Sequence, residues 1–211
     1  MLRVQGLLLL TVLAVSAEPA VGEAGLTALA SQRAAVVVVA GDGTRTVQRL
    51  DEPDEPGEAK TVRFAIAADG RYDIVLTDPK DPSGERTRFV SDGTTTSEIT
   101  LMAVGDPPLI KTRPAAVDLT TRLLACLRLD LVQLRRDYTV ELVAAGALRD
   151  LRLTPSDPDV AREVSRVVVT IDASGHPVRL VLDDPSGNRH RLELSSFRDD
   201  PPLDPAWFSG P

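Results

Sequence analysis

The sequence predicts a mainly β, α+β fold in which helices lie across the apolar face of a curved antiparallel sheet. Three features of the sequence support this. Residues 164–197 alternate apolar and polar side chains in three runs separated by turn residues, and a period of two is typical of strands with one apolar face. Residues 61–113 repeat this alternation. A leucine pattern at helical spacing follows Asp118 and interrupts the strands.

The three C-terminal runs are predicted to form an antiparallel meander. Turns at Ser174-Gly175 and at residues 184–188 separate them, because Gly, Pro and Asn permit the backbone angles of a tight reversal. The apolar face is expected to carry Val167, Val169, Ile171, Val178, Leu180, Leu182, His190, Leu192 and Leu194. An apolar face of this extent requires a cover.

The N-terminal part predicts a short helix over Leu26–Arg33 and two strands, Ala35–Ala40 and Thr44–Leu50. The intervening Gly41-Asp42-Gly43 is interpreted as a turn. The acidic stretch Asp51–Glu58 contains two prolines and is predicted to be a loop.

Two hairpins are predicted in the middle of the chain. The first turns at Ala68-Asp69-Gly70, and the second turns at Asp92-Gly93 between strands Arg86–Ser91 and Thr94–Met102. Leu109–Arg113 is predicted to be a further short strand. The apolar positions of the first hairpin are Val62, Phe64, Ile66, Tyr72, Ile74 and Leu76.

A helix is predicted to begin at Asp118, a good N-cap residue. Its apolar stripe would contain Leu119, Leu123, Leu124, Leu127, Leu131 and Leu134. The alternation in residues 127–131 also allows a break or a strand near Asp130. Strands from Tyr138 and over Leu148–Thr154 follow, and then a short helical or turn segment capped by Asp157 or Asp159. A closed barrel and a curved open sheet with helices in its mouth both suit this order.

Composition excludes several classes of function. The 211 residues carry a net charge of −7, which argues against nucleic-acid binding because that requires a basic face. Cys126 is the single cysteine, so no intramolecular disulfide can form, and its apolar neighbours predict a buried, inert thiol. Two histidines, His176 and His190, offer little for a metal site, and no metal or cofactor is predicted.

The first residues have the features of a secretory signal peptide. Arg3 gives a basic start, an apolar run to Val15 follows, and Val15-Ser16-Ala17 is a small-residue cleavage site. The apolar run is shorter than the about 20 residues that a membrane span needs. Residues 1–17 are therefore expected to be removed on export, leaving one domain over residues 18–211.

The order of several short motifs resembles the LolA-like family of periplasmic outer-membrane lipoprotein carrier proteins. Arg88–Thr94 is similar to the family's strand–turn–strand motif around Val-Ser-Asp-Gly, and Leu151–Pro155 is similar to its hairpin ending in Leu-Thr-Pro. The C-terminal meander and Phe208 complete the similarity, which covers most of residues 61–211. It implies an unclosed β-barrel with helices as a lid.

The resemblance also implies a function. The apolar interior would hold acyl chains of lipoproteins or related lipids and carry them through the periplasm towards the outer membrane. An inner-membrane release complex and an outer-membrane acceptor would be the partners of a monomeric carrier. The cavity residues expected on this basis are Val62, Phe64, Ile66, Tyr72, Ile74, Leu76, Phe89, Ile99, Leu101, Leu123, Leu127, Val140, Leu142, Leu151 and Leu153.

Two departures from the family pattern are evident. The family's carriers often have an arginine at the end of the strand before the first hairpin, where it is tied to lid opening and loading. This chain has Ala67 and Ala68 there, and its nearest arginine, Arg71, follows the turn. The family's cavities are also rich in aromatic side chains, whereas aromatic residues make up only 3% of this chain.

Two other functions remain open from the sequence. A periplasmic sensor module of the same fold would bind a membrane protein or a lipid signal. An exported hydrolase would need an activated nucleophile, and the sequence contains neither a nucleophile elbow nor a recognisable triad. Co-purified lipid would distinguish a carrier from an enzyme, and capture of a single membrane protein would favour the sensor.

Overall fold

The structure is a computed structural model that describes residues 21–81, 84, 86–101, 107–114, 126–202, 204, 207 and 208. Three helices and eleven strands carry labels below. The helices are α1 (Gly22–Arg33), α2 (Leu131–Asp137) and α3 (Pro158–Ala161). The strands are β1 (Val38–Arg49), β2 (Glu58–Ala67), β3 (Arg71–Thr77), β4 (Arg86–Asp92), β5 (Thr95–Leu101), β6 (Leu109–Pro114), β7 (Tyr138–Ala145), β8 (Leu148–Pro155), β9 (Arg166–Ile171), β10 (Pro177–Asp183) and β11 (Asn188–Asp199).

All eleven strands belong to one antiparallel sheet. Their order is β6-β5-β4-β3-β2-β1-β11-β10-β9-β8-β7. The pairing of β1 with β11 joins two meanders into a continuous sheet, whose edge strands are β6 and β7. No ladder joins these two edges among the described residues, so the sheet is an unclosed barrel. The predicted fold class is confirmed.

The hairpin turns lie where the sequence places them. Gly70, Gly93, Gly146, Gly175 and Gly187 all have positive φ, a conformation that glycine adopts without steric penalty. The predicted turn at residues 41–43 is wrong, however. Strand β1 runs through these residues, and a register shift against β11 lies between Asp42 and Gly43. The glycines serve a bulge and a close approach instead of a reversal.

One face of the sheet, here called the concave face, carries the main apolar core. Residues paired across neighbouring antiparallel strands share a face, so Leu142, Leu151, Val169 and Leu180 form one apolar row across β7 to β10. All four are buried. Leucines of the helical segments join the same core cluster: Leu26, Leu29, Leu127, Leu129, Leu131 and Leu134. The prediction that helices cover the apolar face is therefore confirmed.

The helical segments begin and end at residues with identifiable roles. Residues 126–128 are helical, and Leu129 then takes a positive φ of 56° before α2 starts. The side chain of Asp130 accepts a hydrogen bond from the Gln133 N–H and so caps α2. The break that the sequence allowed near Asp130 is thus present. Asp118, Leu119, Leu123 and Leu124 lie outside the described residues.

The other helices match their predictions. α1 includes the helix expected over Leu26–Arg33, and with α2 it packs against β7. Asp157 caps α3, its carboxylate accepting hydrogen bonds from the N–H groups of Asp159 and Val160. Within the described part of the chain, no helix combines the length and apolar character that a membrane crossing requires.

Candidate functional site

A cavity of about 350 Å³ opens on the concave face. Its lining combines apolar side chains of the central strands and of the helical segment with a smaller number of polar side chains. The apolar lining consists of Val62, Phe64, Ile74, Leu76, Phe89, Leu127, Leu180, Leu182 and Leu192. The polar lining consists of Arg45, Glu163, Asp184, His190 and Arg191. A cavity of this size lies at the small end of the range for ligand pockets, about 300–1,000 Å³.

The structure brings part of the expected residue set to this cavity. Val62, Phe64, Ile74, Leu76, Phe89 and Leu127 all line it. A second group shares the concave face but belongs to the core around the cavity, and consists of Ile66, Tyr72, Val140, Leu142, Leu151 and Leu153. Leu123 lies outside the described residues.

Two of the residues expected in the cavity, Ile99 and Leu101, lie on the face of the sheet opposite the cavity. Phe89 on β4 pairs with Glu98, whereas Ile99 pairs with Arg88 and Leu101 pairs with Arg86. Ile99 and Leu101 therefore lie on the opposite, convex face. The apolar alternation of β5 continues on that face, so the sequence pattern identified the strand but not the side that it presents. A change of one residue in register exchanges the two faces of a strand.

Three apolar lining residues were not in the expected set. Leu180, Leu182 and Leu192 all line the cavity. Leu180 pairs with Leu192 between β10 and β11, and Leu192 pairs with Arg45 on β1, so these side chains share the concave face. Their period-two pattern was visible in the sequence. Only the pairing of β1 with β11 places this part of the chain next to Phe64 and Phe89.

A second, more polar cavity of about 470 Å³ adjoins the first. Arg45, Leu76 and Phe89 line both cavities. The other lining residues of the second cavity are Val47, Glu58, Lys60, Thr87 and Glu98. The three shared residues mark the point at which an apolar space passes into a polar one.

A hydrogen-bonded chain of three side chains stands at this junction. Arg45 Nη2 lies 3.0 Å from His190 Nδ1, and His190 Nε2 lies 3.2 Å from Asp184 Oδ2. A guanidinium can only donate, so Nδ1 of His190 accepts and Nε2 carries the proton that is donated to Asp184. The sequence indicated a partly buried, structural His190, and the structure places it accordingly.

Burial and hydrogen bonding shift the pKa values of two groups in this hydrogen-bonded series. Desolvation lowers the pKa of the Arg45 guanidinium, and the negative charge of Glu58 acts in the opposite direction. For Asp184, burial favours the protonated form, but hydrogen bonds from Asn188 and His190 hold the pKa of its carboxyl below the ordinary value. Asp184 is therefore a carboxylate at neutral pH. Its hydrogen bonds hold the end of the Arg45–His190–Asp184 series that lies opposite Arg45.

The structure also assembles a serine, a histidine and an aspartate that are separated in sequence. Ser174 Oγ lies 3.3 Å from His176 Nδ1, and His176 Nε2 lies 3.1 Å from Asp199 Oδ2. Ser174, however, also donates to Asp172 at 2.6 Å. Arg33 donates twice to Asp199, at 2.8 and 2.7 Å. Because the serine proton is directed to a carboxylate and not to the histidine, the group fastens a turn to α1 and does not activate a nucleophile.

The thiol of Cys126 is inaccessible. The residue is fully buried in the core cluster. Burial raises the pKa of this thiol to about 12, so it stays protonated at neutral pH and behaves as a small apolar side chain. Among the described residues, no cluster of three or more histidine, cysteine or acidic side chains could hold a metal ion.

Several solved structures are similar to this chain at low sequence identity. A putative outer-membrane lipoprotein-sorting protein domain from Vibrio parahaemolyticus is 13% identical, with a TM-score of 0.43 over 87% of this chain and 95% of that chain. A DUF1329 family protein from Desulfovibrio piger is 12% identical, with a TM-score of 0.45 over 87% and 94%. The lipoprotein LppX of Mycobacterium tuberculosis is 16% identical, with a TM-score of 0.43 over 86% and 98%.

Comparison with protein families gives a match that covers more than half of the chain. No curated protein matches the sequence significantly. The family profile described as "Outer membrane lipoprotein carrier protein LolA" matches residues 84–210, which extend from β4 through the C-terminal meander. This is the region whose motifs suggested the family and whose strands form half of the cavity wall. The chain belongs to the LolA family of outer membrane lipoprotein carrier proteins.

Proposed function

We propose that this protein is a periplasmic carrier that holds acyl chains of lipoproteins or related lipids and moves them towards the outer membrane. The single observation that carries the proposal is the apolar cavity between the concave face and the helical segment. Eight of its nine apolar lining residues come from strands β2, β3, β4, β10 and β11, and the ninth, Leu127, comes from the helical segment.

Favourable binding of an acyl chain at such a site requires only apolar surface. Transfer of one CH₂ group from water to an apolar environment is worth about 0.8 kcal/mol, so a long acyl chain offers around 10 kcal/mol before the costs of binding. A cover of helices can shield the bound chain from water. Neither a metal nor a general base is needed for this task.

The proposal includes the cellular setting. Residues 1–17 would be a cleaved signal peptide, and residues 18–211 would be a monomeric carrier domain in the periplasm. A release complex in the inner membrane would load it, and an acceptor at the outer membrane would receive the cargo. The composition of residues 1–17 supports export, and membership of a carrier family supports the transfer of lipid cargo.

The test combines ligand identification with a matched pair of variants. Protein purified from the periplasm is extracted and its bound lipids are identified by mass spectrometry. Ile74→Glu places a carboxylate in the cavity wall, whereas Val75→Glu places one on the convex face, because Val75 pairs with Arg63 and Arg88 on that side. Ile74 is half-buried in the cavity wall, and Val75 is half-buried on the other face.

We expect lipid to co-purify with the parent protein and with Val75→Glu, but not with Ile74→Glu. A buried carboxylate without a partner is costly in an apolar site, so thermal unfolding of both variants is measured alongside. Retention of the full lipid load by a folded Ile74→Glu variant would contradict the cavity assignment. A parent protein free of lipid that also fails to bind a fluorescent fatty acid would overturn the carrier function.

A further inference from the structure

We propose that Arg45 recognises an anionic headgroup, carboxylate or phosphate, at the end of an acyl chain held in the apolar cavity. The ligand class is thus an anionic amphiphile, which narrows the range of related lipids proposed above. This inference rests on the carrier function proposed above, because it assigns the polar end of the same ligand.

The position of Arg45 fits the polar end of such a ligand. Arg45 pairs with Leu192 on β11 and with Lys60 on β2, which places it on the concave face in the centre of the sheet. Its half-buried side chain lines both the apolar and the polar cavity. An acyl chain lying along Phe64, Ile74 and Phe89 would present its head to this guanidinium.

The charge of Arg45 is not balanced by a direct ion pair. No acidic side chain of the described residues lies within salt-bridge distance of its guanidinium, and its hydrogen bond goes to the imidazole of His190. Asp184 is engaged by Asn188 and His190, and Glu58 forms an ion pair with Lys60 at 3.1 Å. A partly desolvated cation without a directly paired counter-charge is unfavourable, and a ligand anion would supply one.

The surrounding groups allow an anion to approach. The polar cavity contains the Thr87 side chain and the Lys60 side chain as further donors, and Glu58 and Glu98 as its acidic groups. At the rim of the apolar cavity, Glu163 and Arg191 bear opposite charges. A guanidinium offers a planar pair of N–H donors that matches carboxylate and phosphate oxygens. His190 holds Arg45 through one nitrogen, Nη2, and the Arg45 side chain lines both cavities.

The experiment compares a fluorescent long-chain fatty acid with its methyl ester, which has the same chain and no charge. Both are titrated into the parent protein, Arg45→Met, Arg45→Lys and Arg63→Met. Arg45→Met removes the charge and keeps an apolar stem, and Arg45→Lys restores a charge. Arg63 is the control, since it lies on the convex face of β2 with its side chain 75% exposed. Inorganic phosphate alone is the third probe.

We expect the parent protein and Arg63→Met to bind the acid about tenfold or more tightly than the ester, the ratio given by one charge-assisted hydrogen bond. Arg45→Met should weaken binding of the acid about tenfold and change binding of the ester by less than about twofold, with Arg45→Lys between these. Binding of the ester also shows that the variant is folded.

Other outcomes separate the two proposals. Equal binding of acid and ester by the parent protein, or an Arg45→Met variant that keeps the preference, would overturn the anionic headgroup and leave the carrier function in place. Binding of inorganic phosphate as tight as that of the fatty acid would show a small-anion site and overturn the assignment to an amphiphile. Failure of both lipids to bind would remove the carrier function itself.

Discussion

Individual carboxylates on this sheet are held in the ionised state by specific partners, and Asp183 at the end of β10 is a clear example. Arg189 on β11 donates to its two oxygens, from Nε at 2.7 Å and from Nη2 at 3.0 Å. This bidentate contact holds the pKa of the Asp183 carboxyl below its ordinary value, although partial burial opposes the shift. The contact also ties together the two strands next to the second turn of the meander.

The sign of the resulting pH dependence follows from this shift. A carboxyl whose pKa is lower in the folded than in the unfolded protein stabilises the fold above its unfolded pKa, about 3.9. The contribution is lost as the pH falls through the lower, folded pKa. We expect Asp183→Asn to unfold at a lower temperature than the parent protein at pH 7.

Thermal unfolding of both proteins from pH 7 to pH 2 measures this difference, which should shrink as the pH falls below about 4. Asp159→Asn is a suitable control because this carboxylate is 68% exposed and contacts Arg162 on the surface of α3. An unfolding difference between Asp183→Asn and the parent that stays constant down to pH 2 would contradict the role of the Asp183 charge.

Among the elements, the short helix α2 begins directly after a turn at Leu129 and Asp130. Leu129 takes a left-handed backbone conformation, which costs a non-glycine residue roughly 1–2 kcal/mol. Its side chain is 1% exposed within the core cluster, so burial compensates for this strain. The turn at Leu129 separates residues 126–128 from α2 and lets both present leucines to the concave face.

We expect Asp130→Ala to lower the free energy of unfolding by about 1 kcal/mol, because the Gln133 N–H loses its acceptor. Asp130→Asn retains a side-chain oxygen that can accept this hydrogen bond and should cost much less. Chemical denaturation of the three proteins measures the difference. Equal destabilisation by alanine and asparagine would assign the effect to the charge of Asp130, which lies 3.9 Å from Arg128, and not to the cap.

At the same scale, strand β1 requires a glycine at position 41 because a side chain there would clash with its neighbours. A Cβ on Gly41 would lie 2.4 Å from the main-chain oxygen of Ser196 and 2.8 Å from the Phe64 ring. Only a residue without a side chain allows Phe64 to lie across β1 at this point. Phe197, opposite Gly41 on β11, lies 6.2 Å from the Phe64 ring, centroid to centroid.

At the scale of the whole molecule, the concave face combines a packed core with an open cavity. Phe64 borders the first cavity but is only 2% exposed, whereas Phe89 is half-buried and lines both cavities. Phe64→Leu should therefore leave a void and cost about 1 kcal/mol or more. Phe89→Leu should cost clearly less and should alter the preference among acyl chains of different length.

Denaturation and fluorescent fatty-acid titration of the two variants measure these effects. The pair is matched because both substitutions remove the same atoms from the same face of the sheet. Marked destabilisation by Phe89→Leu, together with no acyl-chain binding by the parent protein, would mean that the space beside Phe89 is ordinary core.

The sequence by itself determined the local features of this protein. The hairpin turns, the apolar faces of β2, β3 and β7 to β9, a cap at Asp157 or Asp159 and the burial of Cys126 all depend on neighbours within a few residues. Turn chemistry, period-two alternation and capping act over such short distances. The motif order in the second half of the chain was also sufficient to indicate the family.

Only the tertiary structure decided how distant segments meet. The pairing of β1 with β11 brings Arg45 to His190, 145 residues apart, and completes the cavity wall. Because of the same pairing, residues 41–43 form part of a continuous strand and not the predicted turn. The register of β5 against β4 placed Ile99 and Leu101 on the convex face. The physical reason is the same in each case, since strand partners and register are selected by packing across the whole sheet, and alternation alone is compatible with either face.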